Sequence, residues 1–583
     1  MTFKTLALIA AALLAPSPAM AACTVAKMLD LPVVMAGRRP MVTAQFGGRP
    51  ARFIVDSGAF YSTIARATAA EFGLKVTPLP ASFRLRGVNG DTSAASTVAP
   101  DFALGGVTIP KVAFIVGGSD TGTAGLLGQN ILGLADVEYD LPHGMVRLMK
   151  TRDCARTGLA YWAGDRPVTA LKLERPDSDR FKPHTIAMVQ LNGKSIRAAF
   201  DTGAQVSTLT LAAARRLGIT PESPGVVPAG TTTGLGSKRI RDWSAPFDSL
   251  AIGDETIPKP RIIIADVDLG ANDIVIGVDF FLTHRIFVSN ATRTLYMTYE
   301  GGPLFGITPK GARTGDGVAI DLTDKTAAPT DAEGYSRRGA VLASNNRLQD
   351  ALADFDKATQ LAPSEGRYFH QRAMARLANR QTLPALADLD RAIALVPTDS
   401  DAHIVRAGLR IGGGDIDGAK LDLEAANAAL APSASGRLTL GGLYDRVGMP
   451  AAALSNYDLW LRDRPEDAKR ANALNGRCWA RAQLDRDLDK ALADCNAAVK
   501  AAPGRAAYLD SRGLVRLRRG ESAAALADYD AALAIAPRNA WSLYARSIAA
   551  ARAGRAAEAL ANRSAAMAID RRVADRAKRM GLE

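Results

Sequence analysis

The chain has 583 residues, 48% of them hydrophobic and 22% charged, a balance that excludes a disordered or fibrous protein and gives enough length for three or four domains. Its formal net charge is +13, yet the basic residues form no long block and aromatics make up only 6%, so a nucleic-acid groove is not indicated. Diffuse positive charge of this kind is at most weakly drawn to acidic cell-envelope surfaces.

Residues 1–21 read as a secretory signal peptide: Lys4 supplies a positive start, Leu6 to Leu14 is a short apolar run, and Pro16-Ser-Pro-Ala-Met-Ala21 is a helix-breaking, small-residue stretch. The expected location is therefore the periplasm or the medium. The apolar run is short for a bilayer span, and no later run approaches the ~20 apolar residues a spanning helix needs. Cys23 lies just past the cleavage point and raises lipid attachment, hence membrane anchoring, as the alternative. Met20 stands where such a motif usually has Leu, which favours the unlipidated form.

Residues 22–302 read as β structure. Runs such as Phe53-Ile-Val55, Val112-Ala-Phe-Ile-Val116 and Arg261-Ile-Ile-Ile264 are separated by Gly, Pro, Asn and Asp turns. Residues 303–331 hold Pro, Gly, Thr and Asp without periodicity and read as a linker. From 332 to 583 the composition turns to Ala, Leu, Arg and Asp at helical spacing.

The helical part repeats. Pro363, Pro397, Pro432, Pro465, Pro503 and Pro537 follow one another at steps of 34, 35, 33, 38 and 34 residues. A small residue precedes most of these prolines at a fixed distance: Gly339, Ala373, Ala407, Gly441 and Gly513. Second-helix stretches also recur, as in Ala351-Leu-Ala-Asp354, Ala385-Leu-Ala-Asp388 and Ala525-Leu-Ala-Asp528. The pattern resembles the tetratricopeptide (TPR) repeat, in which small residues let two helices approach closely. Six to seven repeats are expected, the fifth carrying an insertion near Asp485 with Cys478 in the small-residue position, and a degenerate seventh acting as a cap. The resemblance implies a partner surface for a protein or peptide.

Four cysteines fit an oxidising compartment. Cys23 and Cys154 bracket the first candidate lobe, and Cys478 and Cys495 lie 17 residues apart in one helical repeat. Two disulfides are favoured over four buried thiols. With no Cys or His pair at ligand spacing and five His in all, neither metal nor cofactor is expected.

The β region repeats at a longer period. Asp56-Ser-Gly-Ala-Phe-Tyr-Ser-Thr63 aligns without a gap on Asp201-Thr-Gly-Ala-Gln-Val-Ser-Thr208. Downstream, Leu126-Leu-Gly128 matches Val275-Ile-Gly277, so two homologous lobes stand in tandem, 22–155 and 156–302. One Asp-Ser-Gly is no more than a surface turn; the whole set occurring twice is not. It resembles the retropepsin-like aspartic proteases, which pair two lobes. The resemblance implies an all-β acid-protease pseudo-dimer with Asp56 and Asp201 catalytic. It also implies that Ser57, Gly58, Thr202 and Gly203 support that pair, and that the substrate is a polypeptide. The chemistry agrees, since two carboxyls held close share one proton and can act as base and acid on a water molecule.

Gly-rich stretches between the motifs are candidate flaps: Gly87, Val88 and Gly90 in lobe one, Gly234, Leu235 and Gly236 in lobe two. Neither carries the tyrosine of pepsin-type flaps. His143, His184 and His284 read as structural or surface residues, and Asp136 and Asp279 as capping or surface ones. Three readings compete: an exported endopeptidase with a docking array, a protease-like binding scaffold that no longer cuts, and a homodimer whose sites mix chains.

Overall fold

Alternation decides which side of each strand is buried. In Arg49–Val55 the side chains of Ala51, Phe53 and Val55 turn inward while Arg52 is exposed. In Pro40–Phe46, Val42, Ala44 and Phe46 turn inward and Thr43 and Gln45 outward. The computed structural model describes residues 23–80, 83–87, 90–118, 121–154, 158–174, 185–232, 240–305 and 329–582. Residues 1–22, with the expected signal peptide 1–21, and residues 306–328 of the expected linker lie outside them.

In the first lobe, Pro40–Phe46 pairs with both Arg49–Val55 and Ala95–Leu104, which closes the sheet into a barrel of six strands. Phe46, Phe53, Phe102 and Phe114 fill it, their ring centres 5.2–5.9 Å apart. The second lobe is a nine-stranded sheet from Ile186 to Ala265 and Ile274–Ile276. Both share one local arrangement. Gly125–Leu127 lies parallel to Arg49–Val55 and antiparallel to Thr63–Ile64, and Ile274–Ile276 lies likewise between Lys194–Phe200 and Thr208–Thr210.

A six-stranded antiparallel sheet joins the lobes. It runs Thr24–Pro32, Met145–Arg152, Asp136–Asp140, His284–Ser289, Thr294–Tyr299, Thr169–Lys172, three strands from each lobe. Asp136 is not on the surface as its sequence context suggested. It is buried in this sheet, accepting from the Asn290 amide of the other lobe at 2.7 Å and from the Thr151 hydroxyl. His284 is fully buried beside Glu255 at 3.0 Å, and His143 pairs with Asp140. His184 lies outside the described residues.

From Ala332 the chain is all helix: seven pairs, from Ala332–Ser344 with Leu348–Leu361 to Ala540–Arg552 with Ala556–Ile569, then Val573–Arg579. The seventh unit is two full helices rather than a degenerate cap. A Cβ on Gly339, Gly441 or Gly513 would sit 2.9 Å from the ring of Phe355, Tyr457 or Tyr529, so the small residue is required by an aromatic ring on the second helix. Cys478 and Cys495 occupy these two positions in the fifth repeat and are disulfide-bonded, as are Cys23 and Cys154.

The recurring second-helix aspartates are buried and clamped. Asp388 accepts from Arg372 at 2.6 Å and from Arg376 at 2.7 Å, and Asp422, Asp494 and Asp528 are held the same way by Arg406 and Arg410, Arg477 and Arg481, Arg512 and Arg516. The array also packs on the lobes. Ser344 donates to the Gly37 carbonyl at 2.6 Å, Ser433 to Glu71 at 3.2 Å, and Ala340, Val341 and Phe355 share the apolar core of the β region.

Removing the array's disulfide with Cys478→Ala and Cys495→Ala together frees a loop of 17 residues, which costs about 3 kcal/mol. Thermal unfolding of the double variant is expected several degrees below wild type, and an unchanged midpoint would show the bridge to be dispensable.

Candidate active site

Each lobe delivers its aspartate from the end of a strand. The amide of Asp56 donates to the Leu127 carbonyl at 2.9 Å and that of Asp201 to Ile276 at 2.9 Å, so the apolar-apolar-Gly segment fixes the backbone just where the strand ends. Its glycine is needed by close approach: a Cβ on Gly128 or Gly277 would lie 2.7 Å from the carbonyl of Ala59 or Ala204. The serine five residues after each aspartic-motif hydroxyl also has a role. Ser62 accepts from the Gly128 amide at 3.0 Å and donates to Asn130 at 2.8 Å; Ser207 accepts from Gly277 at 2.9 Å and donates to Asp279 at 2.8 Å. Asp279 thus lies partly buried in the first turn of helix Val278–Phe281, with its carboxyl turned onto Ser207. It corresponds to Asn130, a match obscured because one is an amide and the other an acid.

The lobes interlock through the motif hydroxyls. The Ser57 amide donates to Thr202 Oγ1 at 3.0 Å and the Thr202 amide to Ser57 Oγ at 2.9 Å. Each hydroxyl then donates across the seam, Ser57 to the Phe200 carbonyl at 3.0 Å and Thr202 to the Val55 carbonyl at 2.8 Å. All four bonds are buried.

This brings Asp56 and Asp201 into hydrogen-bond contact within one chain. The Gly58 amide donates to both, at 3.1 Å to Asp56 and 3.0 Å to Asp201, while Ala59 donates to Asp56 at 2.7 Å and Gly203 to Asp201 at 2.7 Å. A Cβ on Gly58 would lie 2.4 Å from the Asp201 carboxyl carbon, and one on Gly203 equally close to Asp56, so only glycine leaves room for the pair.

Burial pushes the Asp56 carboxyl well above the usual range, and the Asp201 charge adds to this. Burial also raises Asp201, but the Gly203 amide and the hydrogen bond with Asp56 oppose it. Burial thus raises both carboxyls, and the pair holds one shared proton. One support is asymmetric: Gln129 donates to the Ser57 carbonyl at 2.7 Å, and buried Tyr139 hydrogen-bonds Ser57, whereas the aligned positions in lobe two are Val278 and Val288.

Of the flap candidates, Gly87 and Gly90 face each other at the end of a hairpin, Arg84–Gly87 with Gly90–Ser93. Val88, Gly234, Leu235 and Gly236 lie outside the described residues; Val227–Thr232 and Ile240–Pro246 form the arms of the second hairpin. Among the described residues, no group of three or more His, Cys, Asp or Glu is placed to hold a metal.

Two domain matches coincide with these lobes. Residues 42–131 match the family described as Aspartyl protease, and residues 187–283 the family described as gag-polyprotein putative aspartyl protease. One stretch in each lobe thus matches an aspartyl protease family, and an all-α region of repeated helix pairs follows. The chain is similar, at 21% identity and TM-score 0.28 over 33% of its length and 97% of the other's, to YrrB, described as a TPR protein with an unusual peptide-binding site. A tetratricopeptide repeat protein from Parabacteroides merdae matches at 14% identity and TM-score 0.32, covering 43% of this chain and 98% of that one. The Cut9–Hcn1 structure of the APC/C matches at 17% and TM-score 0.29, covering 38% of this chain but only 43% of that one. No curated protein sequence matches the chain.

Because burial raises the Asp56 carboxyl, its ionisation works against folding. Above the unfolded pKa of about 4 the native state must keep a proton that the unfolded chain gives up, so this cost grows with pH until the folded pKa is passed. Asp56→Asn is therefore expected to stabilise the protein at pH 7, by about 1 kcal/mol or more, with the gain vanishing below about pH 4. Denaturant titrations at the two pH values check this; a loss of stability at pH 7 would contradict that raised protonation.

Proposed function

We propose that the protein is an endopeptidase that hydrolyses peptide bonds with a water molecule activated between Asp56 and Asp201. The observation that carries this reading is the fourfold Ser57–Thr202 exchange, which supports two buried carboxyls in contact within one chain. Ionised Asp201 takes a proton from the water, whose oxygen adds to the scissile carbonyl. Protonated Asp56 donates its hydrogen to the carbonyl oxygen. Collapse of the tetrahedral diol breaks the C–N bond, the amine leaves with a proton, and the pair regains its single-proton state. The paired strands Arg84–Gly87 with Gly90–Ser93 and Val227–Thr232 with Ile240–Pro246 serve as the arms of flaps that close over an extended polypeptide and exclude water.

The enzyme works outside the cytoplasm, in the periplasm or the medium. Two disulfides and the signal-like 1–21 stretch support that placement. The helical array docks a protein or peptide partner and brings substrate to the lobes.

Asp56→Asn and Asp201→Asn are each expected to lower cleavage of an unfolded protein substrate by roughly 10³-fold or more, with the fold retained. Pepstatin-type compounds should inhibit the wild type. The pH profile should be bell-shaped, falling on the acid side when Asp201 is protonated and on the alkaline side when Asp56 loses its raised proton. Full proteolysis by either variant would rule out the shared pair. Comparing exported proteomes of wild type and Asp201→Asn cells identifies the substrate.

A further inference from the structure

The last helix breaks the stacking order of the array. A helix that continued the array would pack on Ala556–Ile569 and on Ala540–Arg552, as each first helix does on the repeat before it. Val573–Arg579 reaches back over the first helices of three repeats. The Arg576 guanidinium lies 5.2 Å from the ring centre of Trp479 in the fifth repeat and 4.6 Å from that of Trp541 in the seventh. The two indoles meet edge to face at 5.7 Å. In the sixth repeat, Arg518 donates to the Met580 carbonyl.

The groove under this helix is acidic. Asp445 accepts from the Tyr457 hydroxyl at 2.7 Å and from Gln483 at 3.2 Å, and buried Asp510 accepts from Ser542 at 2.6 Å. The Arg576 charge acts on both carboxyls, and Asp485 pairs with Arg518 at 3.5 Å. The segment above is basic, with Arg571, Arg572, Arg576, Lys578 and Arg579 within nine positions.

Its attachment is shallow. Val573, Ala577 and Leu582 are buried in the cluster containing Leu514, Leu517 and Trp541, while Asp575, Arg576, Lys578 and Arg579 remain exposed. A helix of seven residues is below the ~12 that sustain one alone, so it is held by these contacts together with those of Arg576 and Met580.

We propose that the face formed by the first helices of repeats five to seven is a docking groove for a short basic segment of a partner protein. An arginine of that segment would enter the cleft between Trp479 and Trp541. Residues 571–582 fill the groove until the partner displaces them. This deepens the partner-docking reading above and rests on it. Cation–π contact over two indoles near two carboxyls selects arginine, or less well lysine, and disfavours an acidic segment.

The test uses the full chain and a fluorescent peptide of residues 571–583. R576A should bind the peptide at least roughly tenfold more tightly than wild type, because its own segment no longer competes as well. A peptide carrying the same Arg576→Ala change should bind neither. Equal binding to both proteins, or binding of the changed peptide, overturns the proposal. If an acidic peptide of the same length binds R576A instead, the basic occupant is wrong but partner docking stands; if no peptide of either charge binds, both fail. Amide exchange on the wild type decides independently, since R576A need not fold: residues 573–582 should exchange at least roughly tenfold faster than Ala556–Ile569. Equal protection makes the segment a fixed cap and overturns the proposal.

Discussion

Two carboxyl groups pressed together out of water repel each other and resent burial, and little in this protein could persist if they were free to part. The exchange between Ser57 and Thr202 prevents it. Each hydroxyl accepts from the partner lobe's amide and donates to its carbonyl, so neither lobe can shift without leaving buried polar groups unpaired. Gly58 and Gly203 remove the only atoms that would keep the carboxyls apart. The unfavourable term is thus set against a bonding pattern that exists only when both lobes are in register. The raised protonation of Asp56 is the visible residue of that conflict.

The helical half obeys a different rule. Four of its buried aspartates, Asp388, Asp422, Asp494 and Asp528, are each neutralised by two arginines one turn apart on the facing helix. Breaking one such pair would strand a buried charge, so the clamps fix the angle within each helix pair. Several arginines also reach the preceding repeat, as Arg372 does to Asp356 at 2.7 Å, which passes that constraint along the array. Anchored by Ser344 and by a shared core, the array is seated on the β region rather than hung from a tether.

Much of this was legible in the residues. The doubled aspartic motif, the strand-rich first half and the helical period after 332 survive in the structure because each rests on local pattern repeated several times. What escaped was relational. Asn130 and Asp279 do the same work through the same hydrogen bonds, yet as residue types they do not look alike. Asp136 reads as a surface acid until the two halves of the interlobe sheet are put together. The recurring helix aspartates were visible as a repeat, but their arginine partners lie 16 residues away in repeats two and three, beyond any local pattern. The fold-back of Val573–Arg579 has no signal in sequence, because its contacts are spread over three repeats.

The six-stranded sheet also imposes an order in time. Its central pairing joins Asp136–Asp140 to His284–Ser289, so the first lobe's share of the sheet stays half-finished until the chain has grown past Tyr299. A nascent chain emerging from its N-terminal end therefore carries Asp56 long before it has anything to share a proton with. Whatever handles the growing polypeptide meets a lone aspartate, and the paired carboxyls exist only once the second lobe has closed the seam.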